Sequence, residues 1–288
     1  MVVATVIGGA GRMGNWFARF LKANGYTVIL TDENRQTARV LSKKYGFQFQ
    51  SDQFEAASRA QVVVIATPTN VTSTILDQVV PFIKPSTLLV EISSIKGPVQ
   101  RTVRKLENMG IAVLSIHPMF GPGAKELRGR CILVVRKPRN RQATRILSAL
   151  RRRGAGIIHC TAKKHDVLVS TILALPHLIN ISLIETLRSL RVNLNELNSV
   201  AGTTFQLQLL LAEAIYNEDY DNEVSILGDS RPAIIEEYYK NVAILIRTRK
   251  IQQALVRILK SGRKFVESDP RFACSYGRFN AAVQASLR

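Results

Sequence analysis

The chain has 288 residues, 46% hydrophobic and 7% aromatic, which is enough to bury a large core and excludes a disordered polyelectrolyte. Forty Lys and Arg against 21 Asp and Glu give a formal charge of +19, a balance that favours anionic partners through long-range steering. No uninterrupted apolar run reaches the ~18 residues of a membrane span, and Met1 leads straight into a strand pattern without a signal-peptide layout, so no membrane insertion and a cytoplasmic location are expected.

In chain order, short β-branched runs alternate with helical stretches up to about residue 160, the pattern of βαβ units and a mostly parallel sheet. The predicted strands are Val2 to Ile7, Thr27 to Leu30, Gln61 to Ala66, Thr87 to Ile92, Ile111 to Ile116, Ile132 to Arg136 and Gly156 to His159. Each is nearly all apolar, as expected for strands covered on both faces. From Ala162 onward apolar residues recur at helical spacing, as in Leu168, Ile172, Leu175 and Ile179. This change of period predicts a first domain over 1–161 and an all-helical second domain over 162–288, with helices near 162–191, 193–218, 221–228 and 231–260. Asp229 or Ser230 is expected to cap the helix entered through Pro232, Glu236 to pair with Lys240 on its surface, and Gly262 to stop it. Helices apolar on more than one face need a partner surface, and a second copy of the chain is the simplest source, so a homodimer is predicted. The chain ends soon after this region, and no added regulatory domain is expected.

The first strand leads into Gly8-Gly9-Ala10-Gly11-Arg12-Met13-Gly14 and then an amphipathic helix with Trp16, Phe17, Phe20 and Leu21. In a GxGxxG frame Gly9 allows the tight turn, Gly11 admits a pyrophosphate to the backbone, and Gly14 lets the helix pack closely on the strand. Asp32 ends the second strand, where a carboxylate meets the adenosine ribose hydroxyls. The fold predicted is therefore α/β, a Rossmann-type doubly wound sheet followed by an all-α dimerisation domain, and the cofactor predicted is NAD or NADP. Asp32 would repel a 2′-phosphate and leans the choice to NAD, while Thr31 and Arg35 lie where an NADP phosphate would be held.

Ligands of a doubly wound sheet sit beyond the carboxyl ends of its strands. Thr67-Pro68, Ser93-Ser94-Ile95-Lys96-Gly97 and His117-Pro118 each follow a predicted strand at that edge. Ser94 can also be read as a cap for the helix started by Pro98. His117 carries more weight, because removing hydride from an alcohol carbon requires a group to accept the hydroxyl proton, and imidazole titrates near neutral pH. His165 and His177 fall on one predicted helix, on roughly the same side; His159 reads as structural. Cys131, Cys160 and Cys274 are widely separated and lack metal-ligand spacing, so they read as idle thiols and no metal is expected. The basic runs Arg136 to Arg141 and Arg151 to Arg153 read as a solvated surface that collects an anionic metabolite rather than as a nucleic-acid stripe.

With these residues in view, the chain resembles the prephenate dehydrogenases along nearly its whole length. The motifs that carry the resemblance are VIGGAGRMG, the Ser94-Ile95-Lys96-Gly97 turn, His117-Pro118-Met119-Phe120-Gly121-Pro122, Lys164-His165-Asp166 and Ala174-Leu175-Pro176-His177. The resemblance implies oxidative decarboxylation of prephenate, with His117 taking the hydroxyl proton, Ser94 orienting it, His177 lining the substrate pocket, and Lys96 and His165 as electrostatic or orienting neighbours. It also implies an Arg pairing with the ring carboxylate, but the two aligned positions hold Ala214 and Gln206, which leaves Lys96, Arg247 or another basic side chain to replace it. Arogenate or another small carboxylic acid is the alternative substrate, and a non-catalytic dinucleotide-binding module is the alternative role.

Overall fold

The computed structural model describes residues 2–217, 224, 226–228, 232–247 and 251–286. They belong to two compact units, residues 1–169 with 224–230, and residues 170–223 with 231–288.

In the first unit β1 (Val2–Ile7), β2 (Tyr26–Thr31), β3 (Gln48–Phe49), β4 (Val62–Ile65), β5 (Leu88–Glu91), β6 (Ala112–Pro118), β7 (Cys131–Arg136) and β8 (Gly156–His159) form one sheet. Its order is β3-β2-β1-β4-β5-β6-β7-β8, and every neighbouring pair is parallel except β6 with β7. The winding reverses between β1 and β4, which opens the ligand crevice of such sheets at their carboxyl ends. Helices α1 (Arg12–Ala23), α2 (Arg35–Tyr45), α3 (Gln53–Ser58), α4 (Thr69–Val79), α5 (Gly97–Asn108), α6 (Arg141–Arg152) and α7 (Ala162–Val169) accompany it. Side chains alternate along the strands: Ala4, Val6, Val62, Val64, Leu88 and Val90 enter one apolar cluster, and Ile7, Val63, Ile65 and Leu89 the other. This is period two with both faces covered.

The seven predicted strands are present, with ends moved by a residue or two. β3 is too short to show a period. β6 runs past Ile116, so His117 and Pro118 sit inside the strand rather than beyond it. Its pairing with β7 slips between Ser115 and Ile116, an irregularity of the kind that re-aims side chains beside active sites. The loop after Pro118 is fixed to α1: Trp16 Nε1 donates to the Ala124 carbonyl at 2.9 Å, and the Trp16 and Phe120 rings lie 5.0 Å apart.

The second unit is helical, with α8 (Leu175–Ser189), α9 (Leu194–Val200), α10 (Thr203–Tyr216), α11 (Pro232–Arg247), α12 (Ile251–Val266) and α13 (Ser275–Ser286). The helical stretch does begin at Ala162, but α7 belongs to the first unit and a π-helical turn, Ser170–Ala174, separates it from α8. Pro176 lacks an N–H and its ring crowds the carbonyl four residues back, which a wider turn relieves. His165 and His177 therefore do not lie on one regular helix. The expected helix over 193–218 is two, broken at Ala201-Gly202. Gly262 lies inside α12; a helical glycine costs about 1 kcal/mol relative to alanine, too little by itself to end a sixteen-residue helix. Lys240 pairs with Glu237 at 3.7 Å rather than with Glu236. Asp229 and Ser230 lie outside the described residues. The run Ala162–Ser189 is, by length and composition alone, apolar enough to cross a membrane, although polar residues interrupt it.

Candidate active site

The glycine loop joins β1 to α1. The left-handed residue of its turn is Gly8, at φ +77°, rather than Gly9, and a Cβ on Gly8 would stand 2.6 Å from the Ala66 carbonyl oxygen at the end of β4. This close approach sets Thr67 and Pro68 beside the loop. Gly11 caps α1 without a side chain, and the first turn carries no acid, so the positive end of the helix suits an anionic group. Asp32 braces the loop: its Oδ2 accepts from the Ala10 amide at 2.9 Å and its Oδ1 from the Asn34 amide at 2.8 Å. Arg35, at the start of α2, is exposed, whereas Thr31 is 2% exposed. Arg12 is exposed and Met13 half-buried at the start of α1. These residues fit the diphosphate and adenosine ribose of a dinucleotide. At Gly14 a Cβ would meet the Gly8 carbonyl oxygen at 2.0 Å, and backbone on both sides cannot yield. Gly14→Ala should therefore cost about 1–3 kcal/mol through overpacking and weaken dinucleotide binding, as thermal unfolding and a dinucleotide titration would show.

His117 is buried, and its Nδ1 lies 3.0 Å from Nε2 of His165 on α7. The Nδ1 of His165 lies 2.7 Å from Oδ1 of Asp166. Asp166 also supplies the cap that α5 lacks: Oδ1 accepts from the Lys96 amide at 2.9 Å and Oδ2 from the Gly97 amide at 2.8 Å. Burial pushes the Asp166 carboxyl up, but the His165 ring and these two amides together hold it below its ordinary value. Burial lowers His165, partly offset by Asp166. Burial, with His165 and Lys96 alongside, holds His117 well below the ordinary imidazole value.

Lys96 is 1% exposed, and its Nζ donates to Glu91 Oε1 at 2.7 Å and to the Ile116 carbonyl at 2.8 Å. Glu91, at the end of β5, also accepts from the Ser115 hydroxyl and, at 3.0 Å, from the Ser93 amide. Burial lowers Lys96, and Glu91 opposes that shift. Two of the three ammonium hydrogens of Lys96 are thus committed to Glu91 and the Ile116 carbonyl, within the protein interior. Ser94 is half-buried between β5 and α5, and the side chain of Lys96, the residue at the cap position of α5, does not bond to the first amides of that helix. His177 is half-buried on α8 of the second unit. Ala214 and Gln206 lie on α10, where the Gln206 amide donates to the Ala201 carbonyl, and Arg247 ends α11. Among the described residues no cluster of metal ligands occurs.

The structure thus brings Lys96, His117 and His165 together, and adds three residues that sequence reasoning passed over: Glu91, Ser115 and Asp166. For Asp166 a signal existed, since an acid follows His165 directly in the Lys164-His165-Asp166 motif.

Residues 17–132 match the family model of the prephenate dehydrogenase nucleotide-binding domain, and residues 161–227 that of the prephenate dehydrogenase dimerization domain. The chain is 26% identical over 280 residues to a protein of Methanocaldococcus jannaschii named "Probable arogenate/prephenate dehydrogenase", covering 94% of this chain and 63% of that one. It is 25% identical over 234 residues to the T-protein of Haemophilus influenzae, with coverage of 80% and 58%. Prephenate dehydrogenase from A. aeolicus, solved with hydroxyphenyl propionate and NAD+, is similar in fold, with a TM-score of 0.66 at 18% identity over 93% of this chain and 99% of that one. The chain spans about three-fifths of the length of the curated relatives it matches.

Proposed function

This chain belongs to the prephenate dehydrogenase family, and from that premise we propose that it catalyses the NAD(P)-dependent oxidative decarboxylation of prephenate to 4-hydroxyphenylpyruvate. The observation that carries this reading is the His117 ring, buried at the carboxyl end of β6 with Nδ1 bonded to His165, which leaves Nε2 for a substrate hydroxyl. Bound nicotinamide would supply the hydride acceptor. His117 Nε2 takes the hydroxyl proton as the carbon–hydrogen pair leaves as hydride. The carbon–carboxylate bond then breaks to CO2, its electron pair completes the aromatic ring, and the phenolic oxygen takes the proton back. Ser94 is the proposed second hydrogen-bonding group at that hydroxyl, and His177 a proposed substrate contact. Asp166, two bonds removed from His117, favours the transient imidazolium electrostatically.

The Gly8–Gly14 loop and Asp32 are the proposed dinucleotide site, with NAD favoured because Asp32 would repel a 2′-phosphate and Thr31 is buried. The second unit is the proposed dimer interface: its matched domain is a dimerization domain, and Leu211, Ile246, Leu259 and Phe265 are exposed. Arogenate is the second reading, since a relative is named for both substrates and the two share the reacting ring.

The test is reduced-cofactor absorbance on mixing purified protein with prephenate or arogenate and NAD or NADP. Reduction with prephenate supports the proposal; reduction with arogenate alone selects the second reading; no reduction in any mixture, by protein that binds dinucleotide, overturns both. The pH profile follows from the depressed His117. The base works only when neutral, so kcat/KM should stay level as pH falls through 6.5, the ordinary imidazole value, and drop only below it. The charged and titratable groups beside the ring are Lys96 and Glu91 from the β5–α5 segment and His165 with Asp166 from α7. An acidic limb above 6.5 would contradict this assignment.

A further inference from the structure

Which nitrogen of His117 carries its hydrogen decides whether the ring can accept a proton at all on the side away from His165. Three bonded groups fix the answer. Asp166 is held as a carboxylate by the His165 ring and the Lys96 and Gly97 amides, so it only accepts, and His165 Nδ1 must carry a hydrogen toward it. A neutral His165 then has a bare Nε2. The 3.0 Å contact between that Nε2 and His117 Nδ1 requires a hydrogen on His117 Nδ1. We infer that Asp166 and His165 are positioning residues that lock His117 in its Nδ1–H tautomer and hold its Nε2 lone pair ready for the substrate hydroxyl.

The arrangement resembles the orienting role of the carboxylate in a Ser-His-Asp triad, with one more imidazole in the chain. The extra ring spans from α7 to β6, and the same carboxylate anchors the start of α5. The low values of both imidazoles agree with two neutral rings in the resting protein. In the proposed reaction the proton returns to the phenolic oxygen, so a ring that holds its proton briefly suffices and no exit path is required.

The inference rests on the proposed role of His117 for its catalytic meaning, but not for its test. Two-bond 15N–1H correlation spectra of the full chain labelled at histidine should show His117 with a protonated Nδ1 and a pyridine-like Nε2 near neutral pH. A protonated Nε2 would overturn the inference. His165→Phe leaves Asp166 able to cap α5 and removes the acceptor; it should move His117 toward the Nε2–H tautomer and lower kcat by roughly a hundredfold or more with little change in KM. His165→Gln, whose side-chain oxygen can accept from Nδ1, should recover much of that loss. An unchanged tautomer in His165→Phe would also overturn the inference. If that variant does not fold, the wild-type spectrum alone decides. A protonated Nδ1 in a protein whose His117→Ala variant turns over normally would instead uphold the lock and discard His117 as the base.

Discussion

Alanine in place of His117 should reduce turnover by roughly a hundredfold to ten-thousandfold, while affinity for the dinucleotide changes little. The size follows from the part proposed for the ring: without a base, the hydroxyl must surrender its proton to water in a site where His117 is only 6% exposed. The affinity is spared because the proposed dinucleotide site, the glycine loop between β1 and α1 with Asp32 just after β2, lies away from the β6 ring. The substitution also removes the donor to His165 Nε2, and an unsatisfied buried acceptor costs about 1–3 kcal/mol, so lost stability could be mistaken for lost chemistry. His117→Asn retains an N–H and should be the more stable variant with an equally low kcat. Steady-state kinetics, a binding titration and thermal unfolding of both variants separate the effects. Normal turnover in either would remove His117 from the mechanism.

The second large effect is on stability. Lys96→Met should destabilise the first unit by roughly 3–5 kcal/mol, because it leaves the Glu91 carboxylate buried without its counter-charge. Glu91 is 0% exposed, so water cannot reach it to compensate. The Ile116 carbonyl loses its donor in the same step, which loosens the irregular pairing just before His117. Adding Glu91→Gln should recover most of the loss, since a neutral amide can still accept from Ser115. Chemical denaturation of the two variants reads this directly. A single variant as stable as the wild type would mean that the pair contributes little, and a double variant no better than the single would mean that the damage comes from packing.

How much of this was legible before folding depended on range. The glycine loop, the strands and the sheet edge bearing Ser94 and His117 follow from spacing within short segments. The network around His117 does not. The Lys96–Asp166 and His117–His165 bonds span 70 and 48 positions, and only the completed sheet and α7 bring them together. Glu91 was hidden for another reason: it ends the run Leu88–Glu91, whose apolar neighbours mark a buried strand, and a carboxylate there makes sense only once Lys96 is seen opposite. In the helical unit, apolar periodicity located the helices but not their breaks. Gly202 does mark one, while Gly262 marks none, because a single glycine weighs little against the rest of a long helix.

The capping of α5 by a residue that follows the last strand has a consequence during synthesis. When the chain has emerged as far as His159, all eight strands and the glycine loop exist, but neither His165 nor Asp166 does. Such a nascent chain carries the residues of the proposed dinucleotide site, while α5 lacks its Asp166 cap and His117 its His165 partner. The residues proposed to hold a cofactor are therefore made before those proposed to tune the ring that would use it.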